Sequence, residues 1–449
     1  MTRALLLTIL MLAPAAGAQI PLPGGLPGGL PGGLPAGLPG GLPAGVGLPL
    51  AAQQPLEALT HDVGRLADAR RLGIHLLLRR HADVLEADPG GNPIVRGEVL
   101  AFSPSGTALA SAVNAGFSIV RERSLGALGV RIVVLEAPRD MPTDHALSLL
   151  RRLDPAGTYD FNNIYMQGGA AQGSTTSGVG AVPSGVADPG AARAVALGLI
   201  DGGVGTTQAV FQGIVIHQHG CGGTAIPSAH GTEVASLLVG RSARFGGAAP
   251  GATLYAADVY CGKPTGGAVD AIADALAWLV AQHVPVINVS LVGPPNALLQ
   301  QVITRVVAQG FLIVAAVGND GAAAPPLYPA AYPGVVGVTA VDTHRRVIFE
   351  AERGPQVMFA APGADIPAAT VPAGFAAVRG TSFAAPLVAG LLAARPQTDP
   401  TPDPAAAARA AVAALARAAI HLGSSGRNTV FGFGLVGANL PAPRPSIAE

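Results

Sequence analysis

Gly380-Thr381-Ser382-Phe383-Ala384-Ala385-Pro386-Leu387-Val388-Ala389-Gly390 is the stretch on which the reading of the fold turns. Beyond Ser382 almost every residue is small or apolar, so a helix here has no polar face and must be buried on all sides. Ser382 falls in its first turn, where unpaired backbone N–H groups and the helix dipole favour a developing negative oxygen. Gly380 lets another chain approach the backbone closely. Short apolar strands upstream, at 195–200, 253–259, 286–290, 312–317 and 335–341, alternate with helical stretches at 268–282 and 296–309. That alternation predicts an α/β unit with a mostly parallel sheet covered by helices on both faces, spanning 191–440.

Two polar segments interrupt this pattern. Leu199-Ile200-Asp201-Gly202-Gly203 places an aspartate at the carboxyl end of a strand, where open α/β sheets hold ligands. Taken alone, the aspartate is better explained by a tight turn. Ser228-Ala229-His230-Gly231-Thr232-Glu233-Val234-Ala235 places a histidine at a helix start, where a capping role is the competing explanation.

Together the three segments resemble the active-site motifs of the subtilisin-like serine peptidases, the subtilases, in the chain order Asp, His, Ser. Ala249-Pro250-Gly251-Ala252, Ile287-Asn288-Val289-Ser290-Leu291, Gly318-Asn319-Asp320, Ala360-Ala361-Pro362-Gly363 and Phe431-Gly432-Phe433-Gly434 extend the resemblance over 191–440. The resemblance implies a serine endopeptidase acting on peptide or protein substrates, with Ser382 as nucleophile, His230 as base, Asp201 as its orienter and Asn319 as oxyanion donor. It further implies that Ser290, Leu291 and Val292 on one side, and Ala316, Val317 and Gly318 on the other, flank the substrate. Leu327 falls where many relatives carry a small residue at the pocket floor, which predicts a shallow pocket favouring small or short aliphatic side chains. An esterase pattern would need Gly-x-Ser-x-Gly with the histidine last; here Ala384 stands in place of the second glycine and His230 precedes the serine.

The rest of the chain is read as a precursor of 449 residues. Arg3, the apolar run 4–12 and Ala16-Gly17-Ala18 predict a cleaved signal at 1–18, hence a secreted or periplasmic protein without a membrane anchor. Leu-Pro-Gly-Gly units fill 19–50, where a proline in every unit forbids helix and ladder alike. Residues 51–166 read as a propeptide. A helical lead covers 56–85, followed by strand 95–102, helix 107–115, strands 118–123 and 130–135, helix 144–153 and strand 159–165. This is a ferredoxin-like order, and the region resembles the family's inhibitory propeptides, which would make it an intramolecular inhibitor. Residues 167–190 read as an exposed linker, 441–449 as a tail. Self-cleavage is expected between Tyr165 and Ser174, with Ala170 or Ala171 suiting a small pocket.

Lys plus Arg and Asp plus Glu both number 27, and no basic stripe is present, so nucleic acid is not an expected partner. A monomer without cofactor is expected. Export permits Cys221 and Cys261 to form a disulfide, with two buried thiols as the alternative. His217, His219 and Cys221 alternate as metal ligands could on one strand face, but no fourth ligand follows at suitable spacing. Neither zinc nor calcium is assigned.

Overall fold

In the computed structural model, residues 66–168, 170–171, 195–242, 246–395, 403–438 and 440 are described. All lie in the compact unit Ala51–Glu449; the other unit, Met1–Leu50, lies outside them, as do the expected signal, the Leu-Pro-Gly-Gly repeat, most of the linker and the tail.

The N-terminal part opens with α1 (Leu66–Arg80), then β1 (Leu85–Ala87), β2 (Pro93–Phe102), α2 (Gly106–Asn114), β3 (Ser118–Leu125), β4 (Val130–Glu136), α3 (Thr143–Leu153) and β5 (Thr158–Asn163). These strands form one antiparallel sheet: β1 and β5 both pair with β2, which pairs with β4, which pairs with β3. The side-chain alternation of a strand divides its two faces. Val99 and Ala101 of β2 join Val133 and Leu135 of β4 against α2 and α3. Leu100, Ile132 and Val134 point the other way, into a core shared with the C-terminal part. Strand β1 was not visible in the sequence, because three residues are too few to show a period.

The expected linker begins differently from its reading. Its first residues are paired rather than loose: β6 (Met166–Gln167) and β7 (Ala170–Ala171) each join a strand of the C-terminal part.

That part contains β8 (Ala196–Asp201), β9 (Ile216–His219), α4 (Ala229–Val239), β10 (Thr253–Asp258), α5 (Val269–Ala281), β11 (Val286–Val289), β12 (Leu291–Val292) and α6 (Ala297–Ala308). It continues with β13 (Leu312–Ala316), β14 (Val336–Val341), β15 (Val357–Pro362), β16 (Ile366–Ala369), β17 (Phe375–Arg379), α7 (Thr381–Ala393) and α8 (Pro404–Ala418). Seven strands form a parallel sheet in the order β15-β14-β13-β11-β8-β10-β9. Burial on both faces explains the unbroken apolar runs: Leu197, Leu199, Val314 and Ala316 face α4 and α7, while Ile200, Ile313 and Ala315 face α5 and α6. The five strands anticipated from sequence are all in this sheet. The two edge strands were missed: β9 is short and mostly polar, whereas β15 is apolar throughout and was read only as part of the motif at 360–363.

After β8 the chain runs to one edge through β9 and β10, then crosses to β11 on the other side. Asp201, the last residue of β8, therefore stands at a topological switch point, where the connecting loops diverge and leave a crevice. Helix α7 runs beneath this crevice, buried from Thr381 to Gly390. Among the described residues no helix is long and apolar enough to cross a membrane.

The N-terminal sheet packs on α5 and α6 through apolar side chains and through one buried carboxylate. Asp270, at the start of α5, accepts hydrogen bonds from Arg121 Nε and Arg123 Nε, both at 2.9 Å, and from Asn162 Nδ2 at 3.0 Å. Burial alone would raise its pKa, but the two guanidinium groups outweigh burial and hold the carboxyl below its usual range. Asp160 Oδ2 accepts from Ala297 N at the start of α6, at 2.6 Å. Leu100→Ala, which empties a fully buried site in the shared core, should lower unfolding free energy in urea by about 2–5 kcal/mol. Val120→Ala, at an exposed position of strand β3 in the same sheet, should change it by no more than about 0.5 kcal/mol. Equal losses from the two would contradict this packing.

Candidate active site

Asp201 is fully buried, and its Oδ1 accepts from Gly202 N at 2.7 Å. His230 is the second residue of α4, and Ser228 caps that helix by accepting from Gly231 N at 3.0 Å. His230 Nδ1 lies 2.9 Å from Asp201 Oδ1 and 2.8 Å from Oδ2. An acceptor-only carboxylate opposite Nδ1 places the proton there, which leaves Nε2 with a free lone pair in the neutral ring. Nε2 is buried and has no hydrogen-bond partner. Burial pushes the imidazole pKa down, but the charge and hydrogen bond of Asp201, with Glu233 adding to them, carry it above its ordinary value. Glu233 sits one helical turn on, fully buried, accepting from Thr370 Oγ1 at 2.9 Å.

Ser382 is the second residue of α7 and is completely buried. Its Oγ donates to the Ser290 carbonyl at 3.2 Å, and Ser290 Oγ donates back to the Ser382 carbonyl at 2.9 Å. Asn288 Nδ2 in turn donates to Ser290 Oγ at 2.8 Å. The serine hydroxyl is thus turned toward β12, and no hydrogen bond joins it to His230. Asn319 accepts from Thr381 N at 3.0 Å through Oδ1, while its Nδ2 is buried without a partner. The amide that is tied to the start of α7 through its oxygen therefore keeps a buried, unpaired donor.

The chain itself fills the crevice between these groups. Met166 and Gln167 pair antiparallel with Val292 and Leu291, and Gly168 N donates to the Ser290 carbonyl at 3.4 Å. A β-carbon on Gly168 would stand 2.9 Å from Ser382 Oγ, so only glycine brings its backbone this close. Gln167 Nε2 donates to Asp201 Oδ1 at 3.3 Å. Upstream, the fully buried Tyr165 lies against Gly293, and its hydroxyl donates to the Pro294 carbonyl at 2.6 Å. Downstream, Ala170 and Ala171 pair with Arg379 and Val378 of β17.

Of the expected flanking residues, Ser290, Leu291 and Val292 meet this inserted segment directly. Ala316 ends β13, and Val317 and Gly318 continue it in buried positions. Leu327 lies by Gly318: its Cδ1 is 3.0 Å from where a Gly318 β-carbon would stand. Sequence reasoning missed Gly168, Gln167, Glu233 and Glu352. Gly168 carried a signal, since it follows the last predicted strand of the N-terminal unit, but its distance to Ser382 depends on docking. Glu352 carried none.

Cys221 and Cys261 form a disulfide with Cα atoms 5.2 Å apart. Together with Asp258 these are the one His/Cys/Asp/Glu cluster of metal-ligand spacing among the described residues, and its two sulfurs are bonded to each other. The alternating His217 and His219 are committed elsewhere. His217 stacks on Tyr255, while His219 stacks on Trp278 and bonds Asp274 at 3.1 Å.

Parallel sheet, buried serine helix and an Asp–His pair at the switch point together define a subtilisin-type α/β protein. The profile of the subtilase family matches residues 194–434, and the chain belongs to that family. It is 31% identical over 210 residues to the minor extracellular protease Epr of Bacillus subtilis, covering 46% of this chain and 32% of that protein. It is 36% identical over 174 residues to subtilisin E of the same organism, covering 37% of this chain and 45% of that one. The chain thus spans less than half the length of either relative. Fervidolysin from Fervidobacterium pennivorans, described as a keratinolytic enzyme related to subtilisin, shares the fold at a TM-score of 0.63 and 19% identity, over 80% of this chain and 62% of its own.

One buried group behaves unusually. Burial first, then Asp320, pushes the Glu352 carboxyl up to about 9 from an ordinary value near 4.5. Between those values the folded chain holds a proton that the unfolded chain releases, so this group costs stability increasingly as pH rises from 4.5 toward 9. Glu352→Gln should therefore raise the melting temperature at about pH 8, and the gain should vanish near pH 4. A gain of equal size at both would show that the effect is not titration.

Proposed function

We propose that this chain is the precursor of a secreted serine endopeptidase whose N-terminal unit inhibits it from within. The observation that carries this reading is the backbone of Gly168, just past the antiparallel pairing of Met166 and Gln167, laid against Ser382 Oγ. An inserted backbone laid beside a buried serine is how a peptide substrate would bind.

In the reaction, Ser382 Oγ turns from the Ser290 carbonyl to the scissile carbon as His230 Nε2 accepts its proton. Asp201 holds the Nδ1 proton and stabilises the imidazolium. Negative charge gathers on the former carbonyl oxygen, where the unpaired Asn319 Nδ2 and the Ser382 N–H at the start of α7 can donate. The tetrahedral centre collapses, the C–N bond breaks, and His230 returns the proton to the leaving amine. Water, deprotonated by His230, then attacks the acyl-serine by the same path and releases the acid. The separation of Ser382 from His230 is compatible with this, because catalytic hydrogen bonds often tighten only once substrate is bound.

The N-terminal unit is proposed as the inhibitory propeptide. Its βαββαβ order, its packing on α5 and α6 and the continuity from β5 into the cleft support that role. Self-cleavage is then proposed between Gly168 and Gly169, rather than after Ala170 or Ala171, which pair with β17. The resemblance to a relative named as an extracellular protease supports export, as does the N-terminal signal pattern.

A fluorophosphonate should label the Ser382 peptide of the processed protein and leave Ser382→Ala unlabelled. The Ser382→Ala precursor should stay full length, whereas the parent should yield a new N-terminus at Gly169. A folded, processed protein that takes no label would instead be a binding module with this fold. Asn319→Ala should lower kcat by about 100- to 1,000-fold with little change in KM. Because His230 must be neutral to act as base, kcat/KM should rise with pH through a value above the ordinary histidine pKa of about 6.5. A midpoint clearly below that would contradict the assigned Asp201–His230 pair.

A further inference from the structure

Beside Asn319 lies an acidic pair that the proposed reaction does not use. Glu352 is fully buried; its Oε2 accepts from Leu327 N at 3.2 Å, and its Oε1 has no partner. Oε1 lies so close to Gly318 that a β-carbon there would collide with it, and Leu327 Cδ1 stands 3.0 Å from the same β-carbon position. Gly318 and Leu327 are the wall and floor expected for the pocket that receives the side chain before the cut. On that expectation the orphaned oxygen belongs to the base of that pocket. Asp320 follows Asn319, and its carboxylate is held by Arg70 Nε at 3.2 Å, in an ion pair whose side chains are only 14% and 15% exposed.

Arg70 belongs to α1, far from Asp320 in sequence. Leu66 and Ile74, one turn to either side of it, are buried too, so the stripe 66-70-74 is the inward face of that helix. A guanidinium delivered there pairs with Asp320 and lies near enough for Glu352 to feel its charge, and burial makes both carboxyl groups reluctant to ionise. Each gains from a nearby cation: Arg70 pulls both pKa values back down. Meanwhile the inserted segment presents Gly168 at Ser382, with no side chain to enter the pocket.

We propose that this is a cation-accepting specificity pocket, selecting Lys or Arg before the scissile bond, and that Arg70 fills its acidic end in the precursor as a stand-in for the substrate. The proposal rests on the protease reading and departs from the small or aliphatic preference expected from Leu327. A long basic side chain can run its methylene stem along Leu327 and still place its charge between Asp320 and Glu352. A short aliphatic one leaves both acids without a countercharge. Self-cleavage after Gly168 does not require the pocket, because a tethered segment is presented at high effective concentration.

The test uses the full chain with Ser382→Ala, so that it cannot process itself, and p-aminobenzamidine, whose fluorescence rises in a cation-binding pocket. Arg70→Met, which keeps the stem but removes the charge, should bind the dye at least tenfold more tightly than the parent. Adding Asp320→Asn should abolish that gain. Equal binding by all three chains, or no binding to Arg70→Met, would overturn the proposal. Peptide substrates give a second readout on the processed protein, with rates normalised to sites titrated by a fluorophosphonate. Arg and Lys should exceed norleucine by tenfold or more in kcat/KM, falling toward parity in Asp320→Asn. Titrated sites that prefer norleucine or alanine would sink the pocket assignment alone. Absence of titratable sites would count against the protease reading, while the dye measurement still decides the pocket.

Discussion

Between the end of β8 and the start of α4 there is no room for a single added carbon. A β-carbon on Gly231 would collide with the carbonyl oxygen of Gly202, and that contact sets how close His230 comes to Asp201. A helix and a strand meeting end to end in this way need a side-chain-free residue at the contact. The same demand recurs beneath the site, where a β-carbon on Gly390 would strike Ala248 and push α7 away from its neighbours. Without these close approaches the aspartate, the histidine and the serine would still be present, but not in one crevice.

The N-terminal unit meets the rest of the chain by three different kinds of contact. Leu100, Ile132 and Val134 extend the apolar core across the junction. Arg121, Arg123 and Asn162 converge on the buried carboxylate of Asp270, which fixes the sheet's orientation because each donor direction must be met. The backbone of 166–168 then adds a strand along Leu291 and Val292. Apolar contact supplies area, the carboxylate supplies register, and the strand directs the chain past Ser382.

Electrostatically the crevice has two halves. On one side Asp201 raises the affinity of His230 for a proton, against the effect of burial. On the other, Glu352 and Asp320 crowd two acids into a buried space, with Arg70 as their nearest countercharge. Asn319 stands between these halves with one amide hydrogen-bonding face engaged and the other unpaired. In the proposed scheme the first half handles protons and the second chooses side chains.

Much of the architecture was legible in the chain itself. Apolar runs of five or six residues declare strands buried on both faces, and a helix running from Ser382 and Phe383 through Leu387 and Val388 with no polar face can only be internal. The Asp, His and Ser segments each interrupt an element at its end, which is enough to place them on one side of a parallel sheet. Other features had no local signature. The four-residue edge strand β9 and the three-residue β1 depend on partners for their definition, since a short strand has too few residues to show a period. The disulfide required Cys221 and Cys261 to meet, a question of distance across the fold. Gly168 is one glycine among 61 until docking brings it to Ser382, and Glu352 is an ordinary surface-type residue until the loop around Leu327 closes over it. Periodicity and motif order report what a segment is made of; proximity between distant segments is created only when their buried faces are matched.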